Sequence, residues 1–246
     1  MDRSLYVAMT GATQMMRAQS EVAHNLANAD TVGFKAQMSA FQPLAVQGQG
    51  MATRVNGVAF GQGVDMRQGS QIDTGRPLDV AVQGEGWIAV QAPDGTEAYT
   101  RAGNLKLTAD GLLTDERDNP VMGDGGPLTV PQAAQVSIGA DGTLSVVPMG
   151  QGPETIAAVG RLKLVNPAQG QLMQGTDGLM HMVDGGVAEA DPQVTVTAGA
   201  LESSNVNPSQ TLVQMIQLSR QYELQVRSIK SADENAQSAS RLLQMT

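Results

Sequence analysis

Residues 4–28, SLYVAMTGATQMMRAQSEVAHNLAN, return a small, flexible or apolar side chain every three to four positions: Leu5, Met9, Ala12, Met16, Gln19, Val22 or Ala23, and Leu26. That period is the signature of an amphipathic helix. At about 1.5 Å per residue it predicts a rod on the order of 37 Å long. Gly11 weakens it locally, and Asn28-Ala29-Asp30 with Gly33 beyond supplies the stop. The other end of the chain repeats the design. Pro208 suits a first helical turn, with Asn205 or Asn207 as N-cap. From there Leu212, Met215, Tyr222, Val226, Ile229, Ala236 and Leu243 keep heptad-like spacing, interrupted by Ser219, Asp233 and Ser240. The stripe runs for about 55 Å. One reading packs each helix on its own domain. The long, narrow stripes favour another: a seam of this shape wants a second helix. A pair made from the two ends exposes fresh seam to neighbouring copies, as the subunit of a filament or tube requires.

Between these ends the composition changes. Of 28 glycines, 26 lie in residues 41–207, and so do ten of the eleven prolines. The first 40 residues balance three acids against three bases and the last 39 carry three against four, so residues 41–207 hold a net charge of -10 against the chain's -9. Asp-Gly pairs at 94–95, 110–111, 124–125, 141–142, 177–178 and 184–185 suit tight hairpin turns. Strand candidates between them are 78–82, 87–91, 97–101, 105–108, 136–138, 144–147, 159–165 and 179–183. Their spacing predicts an antiparallel β domain over 76–195. Residues 31–75, with Gln47-Gly48-Gln49-Gly50 and Gly61-Gln62-Gly63 among polar neighbours, read as an extended connector. The fold class is α+β: terminal helices pairing as a coiled-coil-like stem, with a central antiparallel β domain. The divisions fall at 1–30, 31–75, 76–195 and 196–246.

Composition excludes several functions. Aromatic residues make up 3% of the chain, too few to stack bases or sugars, and the acidic balance disfavours nucleic acid. No run of 18 apolar residues exists for a membrane span, and Met1-Asp2-Arg3-Ser4 lacks the basic and apolar regions of a signal peptide. There is no cysteine, hence no disulfide, thiolate metal site or thiol nucleophile. His24 and His181 have no acid at ligand or triad spacing. Gly84-Glu85-Gly86 and Gly61-Gln62-Gly63 do not continue as phosphate loops and read as turns. Asp115-Glu116-Arg117-Asp118 lacks the alternating oxygens of a calcium loop. No catalytic, cofactor-binding or metal-binding residue is assigned, and no cofactor is expected.

The ends carry a more specific signal. In residues 22–35, Asn25-Leu26-Ala27-Asn28 followed by Thr31, Gly33, Phe34 and Lys35 closely resembles the signature of bacterial flagellar rod and hook proteins. His24 stands where that family usually has Asn. Leu201-Glu202-Ser203-Ser204-Asn205-Val206, then Arg220-Gln221-Tyr222-Glu223, is similar to the family's C-terminal elements. Residues 78–87 and 98–104 resemble segments shared by rod and hook subunits, while 120–127, 159–165 and the opening Met1-Asp2-Arg3 look most like its proximal-rod members.

The resemblance implies an axial structural subunit and not an enzyme. It would leave the cell through the flagellar type III export apparatus without a cleaved signal and assemble in the periplasmic rod of the basal body. Its implied partners are the other rod subunits, proximal and distal, with further copies of itself among the candidates. The expected assembly interface comprises Leu5, Met9, Ala12, Met16, Val22, Asn25, Leu26, Asn28, Gly33 and Phe34 at the front, and Leu212, Met215, Tyr222, Val226, Ile229 and Leu243 at the back. Two alternatives stand beside this reading: a distal-rod or hook-type subunit, and, from another class, a secreted β-rich binding or hydrolytic module. A hook-type chain needs a longer insertion than 76–195 supplies, and the module needs a concave, aromatic-lined site.

Overall fold

The computed structural model describes residues 3–45, 55–150, 155–168 and 170–244. The chain falls into two compact units: one built from residues 1–29, 36–65 and 206–246, the other from 30–35 and 66–205.

The first unit holds α1 (Arg3–Ala27), β1 (Gln37–Ala45), β2 (Val55–Val64) and α2 (Pro208–Gln244). The two helices pack against each other, and α1 also packs on the antiparallel β1–β2 pair. Of the two candidate N-caps for α2 it is Asn207 that serves: its Oδ1 accepts from Gln210 N at 3.1 Å, and its carbonyl accepts from Thr211 N and Oγ1. α1 closes with Asn28 Nδ2 donating to the His24 carbonyl at 2.9 Å. The stretch 31–75, read as an extended connector, thus contains a hairpin. Gly61-Gln62-Gly63, expected to be a turn, lies inside β2, where Met38 faces Gly63 and Ser39 faces Gly61, so that Gln62 is the extra residue of a bulge. Gln47-Gly48-Gln49-Gly50 lies outside the described residues.

The second unit is all strand and turn: β3 (Gln71–Asp73), β4 (Val80–Gln83), β5 (Trp87–Gln91), β6 (Glu97–Thr100), β7 (Lys106–Leu107), β8 (Leu113–Thr114), β9 (Met122–Gly123), β10 (Gly126–Pro127), β11 (Ala133–Ile138), β12 (Thr143–Pro148), β13 (Ala157–Arg161), β14 (Leu164–Val165), β15 (Leu172–Gln174), β16 (Met180–Met182), β17 (Thr195–Ala198) and β18 (Ala200–Glu202). An antiparallel sheet in the order β14-β5-β6-β16-β15 is its largest element, and β11-β12-β13 form a second sheet. β4 pairs with β17 and β3 with β18, so the ends of this unit's main segment are tied back to its start.

The Asp-Gly turns explain the shortness of the strands. Gly95, Gly111, Gly142, Gly178 and Gly185 all have positive φ; at 124–126 that conformation moves one residue on, to Gly126. Asp94 and Asp141 each accept from a backbone N–H and a threonine hydroxyl two residues later. The threonine hydroxyl bonds, then the threonine amides, hold both carboxyls below the usual range.

One expected strand, 159–165, is in fact two. β13 pairs with β12, while β14 crosses to β5 in the other sheet. The core lies between these sheets, with Ile88, Val90, Leu113, Val121, Leu144 and Leu162 at most 1% exposed. β5 is buried on both faces, Trp87 to Val90 all being inside, and both of its edges are paired: β6 on one, β14 and the Val90–Val121 bridge on the other. Leu144→Ala removes buried methyl groups from this cluster and should destabilise the β unit by about 2–5 kcal/mol in chemical denaturation. A change within 0.5 kcal/mol would mean that the site is not packed.

Candidate functional site

Two features stand out above the fold: the surfaces of the terminal helices and a buried carboxylate in the β unit. On α1 the residues with least exposure are Ala8, Ala12, Gln14 and Ala18, with Gly11, Met15, Gln19, Val22 and Leu26 half-buried along the same side. Small side chains let the second helix come close. A methyl group placed on Gly11 would lie 3.3 Å from the Gln225 side chain of α2. On α2 the expected stripe members Met215, Tyr222, Val226 and Ile229 are half-buried.

Met9 and Met16, read from spacing as part of the same α1 stripe, stand apart from the buried face at 50% and 57% exposure, and Leu212 of α2 is 47% exposed. Met9 and Met16 fall on a second line: Tyr6, Met9, Thr13, Met16, Ser20, Ala23 and Ala27, all exposed. These positions alternate steps of three and four residues, the spacing of a coiled-coil seam, and none carries a formal charge. On α2, Val213, Ile216 and Leu224 are exposed as well. The side chains of Leu5 and Leu243 lie outside the described ones.

The polar members of the N-terminal motif have local tasks. Asn25 forms a two-way bond with the first residue of β1, Nδ2 donating to the Gln37 carbonyl at 2.8 Å and Oδ1 accepting from Gln37 N at 2.9 Å. Asn28 closes α1. His24 contributes its carbonyl to that closure, which any residue could do.

Gly33, Phe34 and Lys35 belong to the β unit, where they meet Glu202. The Glu202 side chain is 2% exposed. Its Oε1 accepts from Lys35 Nζ at 2.7 Å and from Gly69 N at 3.0 Å; its Oε2 accepts from Arg101 Nη1 at 2.8 Å. Lys35 also donates to the Arg67 carbonyl at 2.7 Å, and Arg101 donates from Nη2 to the Gly84 carbonyl at 2.8 Å while lying 5.4 Å from the Trp87 ring centre. The backbone joins in: Gly33 N donates to the Glu202 carbonyl at 2.8 Å and Asn205 N to that of Phe34 at 3.3 Å. Gly33 has φ +67°, and a Cβ there would lie 2.3 Å from Ala102 N, so no other residue fits. Burial opposes ionisation of Glu202, but the Lys35 hydrogen bond, the Arg101 charge and the Gly69 amide outweigh it and hold the carboxyl below the usual range. Three segments quoted for the family resemblance, 22–35, 98–104 and 201–206, therefore converge on one carboxylate.

Elsewhere, among the described residues, titratable side chains have structural tasks. His181, expected to lack an acidic neighbour, has one: Asp177 Oδ2 lies 2.9 Å from its Nε2, four residues back across the Asp177-Gly178 turn. The pair braces that turn, since Asp177 Oδ1 accepts from Leu179 N. Asp115 is buried within its own loop, bonded to the amides of Arg117 and Asn119 and to Asn119 Nδ2. Tyr99 is fully buried; its hydroxyl donates to Glu97 and accepts from Ala188 N, and burial pushes its pKa up to about 12. Among the described residues no cluster of His, Asp and Glu is arranged to hold a metal ion.

The comparisons with known proteins bear on these same segments. Residues 5–35 match the family described as "Flagella basal body rod protein", 81–146 the "Flagellar hook protein FlgE/F/G D1 domain", and 197–242 the "Flagellar basal body rod FlgEFG protein C-terminal". The flagellar basal-body rod protein FlgF of Salmonella typhimurium is 43% identical over the whole of both chains. The chain belongs to the flagellar basal-body rod protein family. FlgF of Escherichia coli is 42% identical, again over both full lengths, and the rod protein FlgG of Buchnera aphidicola from Acyrthosiphon pisum is 30% identical over 97% of this chain and 99% of its own. Membership in the rod family makes this chain a structural subunit of the flagellar basal-body rod.

The Glu202 contacts generate a signed prediction. A carboxyl held below its unfolded value stabilises the fold at all pH above that unfolded value, about 4.3, and loses the stabilisation as pH falls through the depressed folded value. Glu202→Gln leaves two buried cations without their counter-charge and should cost about 3–5 kcal/mol at pH 7. The gap to the unmutated chain should close as denaturation is repeated at successively lower pH below 4. A gap that stays constant down to pH 2 would show that the carboxylate charge is not what matters.

Proposed function

We propose that this rod subunit enters the rod through its two terminal helices, in the periplasm, with other rod subunits, proximal and distal, and further copies of itself as neighbours. It reaches that position unfolded through the flagellar type III export apparatus and catalyses no reaction. The observation that carries the reading is the second, uncharged stripe on α1. One face of that helix is already used by α2, yet Tyr6, Met9, Thr13, Met16, Ser20, Ala23 and Ala27 repeat coiled-coil spacing on an exposed face. A helix of a self-sufficient domain ordinarily presents a charged outer face. An uncharged line at seam spacing instead fits a further helix, supplied by a neighbouring subunit. Gly33, Phe34 and Asn25 serve such an assembly indirectly, by setting how the chain leaves the helix. The chain's lack of cysteine suits export in an unfolded form.

Complementation with separated stability measurements tests this. Met16→Asp replaces an exposed side chain, so the melt of the purified chain should move by less than 0.5 kcal/mol. Once packed in a seam the carboxylate would be buried and unpaired, costing about 2–5 kcal/mol per interface. Cells carrying only this variant should be non-motile and lack completed rods. Leu26→Asp and Ile229→Asp, at half-buried positions of α1 and α2, should abolish motility as well, while leaving the melt of the β unit, which has its own core, in place. Normal swimming with Met16→Asp would remove the exposed stripe from the interface.

A further inference from the structure

The β unit is not held together in the same way throughout. Residues 30–35, 66–75 and 199–205 belong to it, yet none of them is a member of its apolar core or of the half-buried apolar residues packed on that core. The buried side chains of these three segments are Lys35, Glu202, Ser204 and the small Ala200, and β3 is exposed along its whole length. Polar bonds join the segments to one another. β3 pairs with β18, Ser203 N donates to the Ser70 carbonyl and Thr74 N to that of Gly199, both at 2.8 Å, while Gly33 N reaches the Glu202 carbonyl and Gly69 N its carboxylate. Polar groups also tie them to the rest of the unit. Arg101 holds Glu202, and Asp79 accepts from Thr74 Oγ1 at 2.6 Å and, through its carbonyl, from Gly199 N at 2.7 Å. A cavity of about 60 Å³ remains beside residues 31–34, lined also by Thr100, Asn104 and Leu179. The chain passes between its two units after residues 29, 35, 65 and 205, and each of these points is an end of one of the three segments.

We propose that these segments form a latched joint: one cooperative layer, closed by Glu202, that opens and recloses while the β core stays folded. Opening an apolar core exposes hydrocarbon to water, and that is what makes it costly. Opening this layer exposes little hydrocarbon, and it returns Glu202, Lys35 and Arg101 to water, recovering the desolvation that burial cost them. Regions with few buried apolar contacts are the ones that open below the global unfolding free energy. The three segments open together because Glu202 binds all of them: Lys35 in the first, Gly69 in the second, and β18, which carries it, in the third. In the open state the helical unit is attached to a folded β core through unordered chain, so the layer is where this subunit adjusts that attachment. The joint is a property of the isolated chain and does not depend on the assembly reading.

Hydrogen exchange of the full-length chain, followed amide by amide by NMR at low urea concentrations, tests the proposal without any substitution. The amides of Gly33, Gly69, Thr74, Ser203 and Asn205 should share one opening equilibrium, about tenfold or more above that of Leu113, Val121 and Leu128 in the core. Its urea dependence should be below about half of theirs, because less surface is exposed. Leu144→Ala should speed exchange at the three core amides and leave the five layer amides within about twofold, since the layer opens with that site intact. Ile72→Gly, at an exposed position of β3, should speed all five layer amides by one common factor, including Gly33 on another segment. Glu202→Gln should raise layer opening about 100-fold or more, and the β core should still melt cooperatively. If Leu144→Ala does not fold, the urea series on the unmutated chain decides alone. Layer amides that follow the core's urea dependence, layer amides that respond to Ile72→Gly one by one, or loss of the core melt in Glu202→Gln would each overturn the proposal.

Discussion

A single buried carboxylate organises the β unit. Glu202 sits where β18 ends, and the groups it binds come from positions 35, 69 and 101. Placing an ion out of water is costly, and an ion pair recovers that cost only when geometry and hydrogen bonding are complete. Here both oxygens are engaged, one by an ammonium and an amide, the other by a guanidinium. Arg101 extends the set through the Gly84 carbonyl and the Trp87 ring. An apolar cluster of equal volume could have supplied comparable stability. What the carboxylate adds is directional matching: its two oxygens meet donors from three separate segments.

That constraint explains the tight backbone around it. Gly33 lies against the Ala102 amide, and Gly69 lies so close to the Ser203 carbonyl that a Cβ would sit 1.9 Å from its oxygen. Beside the carboxylate, the chain passes through the unit at 30–35, returns to it at 66 and leaves it after 205.

The helical unit follows a different logic. The most buried side chains of its α1 face are small, Ala8, Ala12 and Ala18, with Gln14 beside them, and Gly11 lets the Gln225 side chain come close. Methionine, with a flexible and polarisable side chain, is left on the outer line of α1 at positions 9 and 16. Adaptable side chains suit a surface that meets more than one neighbour.

How much of this was legible beforehand depended on the range of the interaction. Both helices, the hairpin turns at Asp-Gly and the strand Trp87–Gln91 follow from local spacing and backbone preference, so one sequence suffices to read them. The motifs around Asn25, Gly33 and Glu202 were visible as words, and their family resemblance pointed to a rod subunit. What the words do could not be read. Lys35 and Glu202 are 167 positions apart, and no local pattern announces which acid a buried lysine will meet. Strands of two or three residues, such as β3 and β18, have no period of their own and exist only because each pairs with the other. The split of 159–165 between two sheets, and the turning of the α1 contact face from the methionines toward the alanines, are likewise decisions of packing. Sequence determined which segments can be helix, turn or strand, because those preferences are local. Tertiary structure alone decided which faces meet and which charges are buried together, because those depend on what distant parts of the chain bring to the same place.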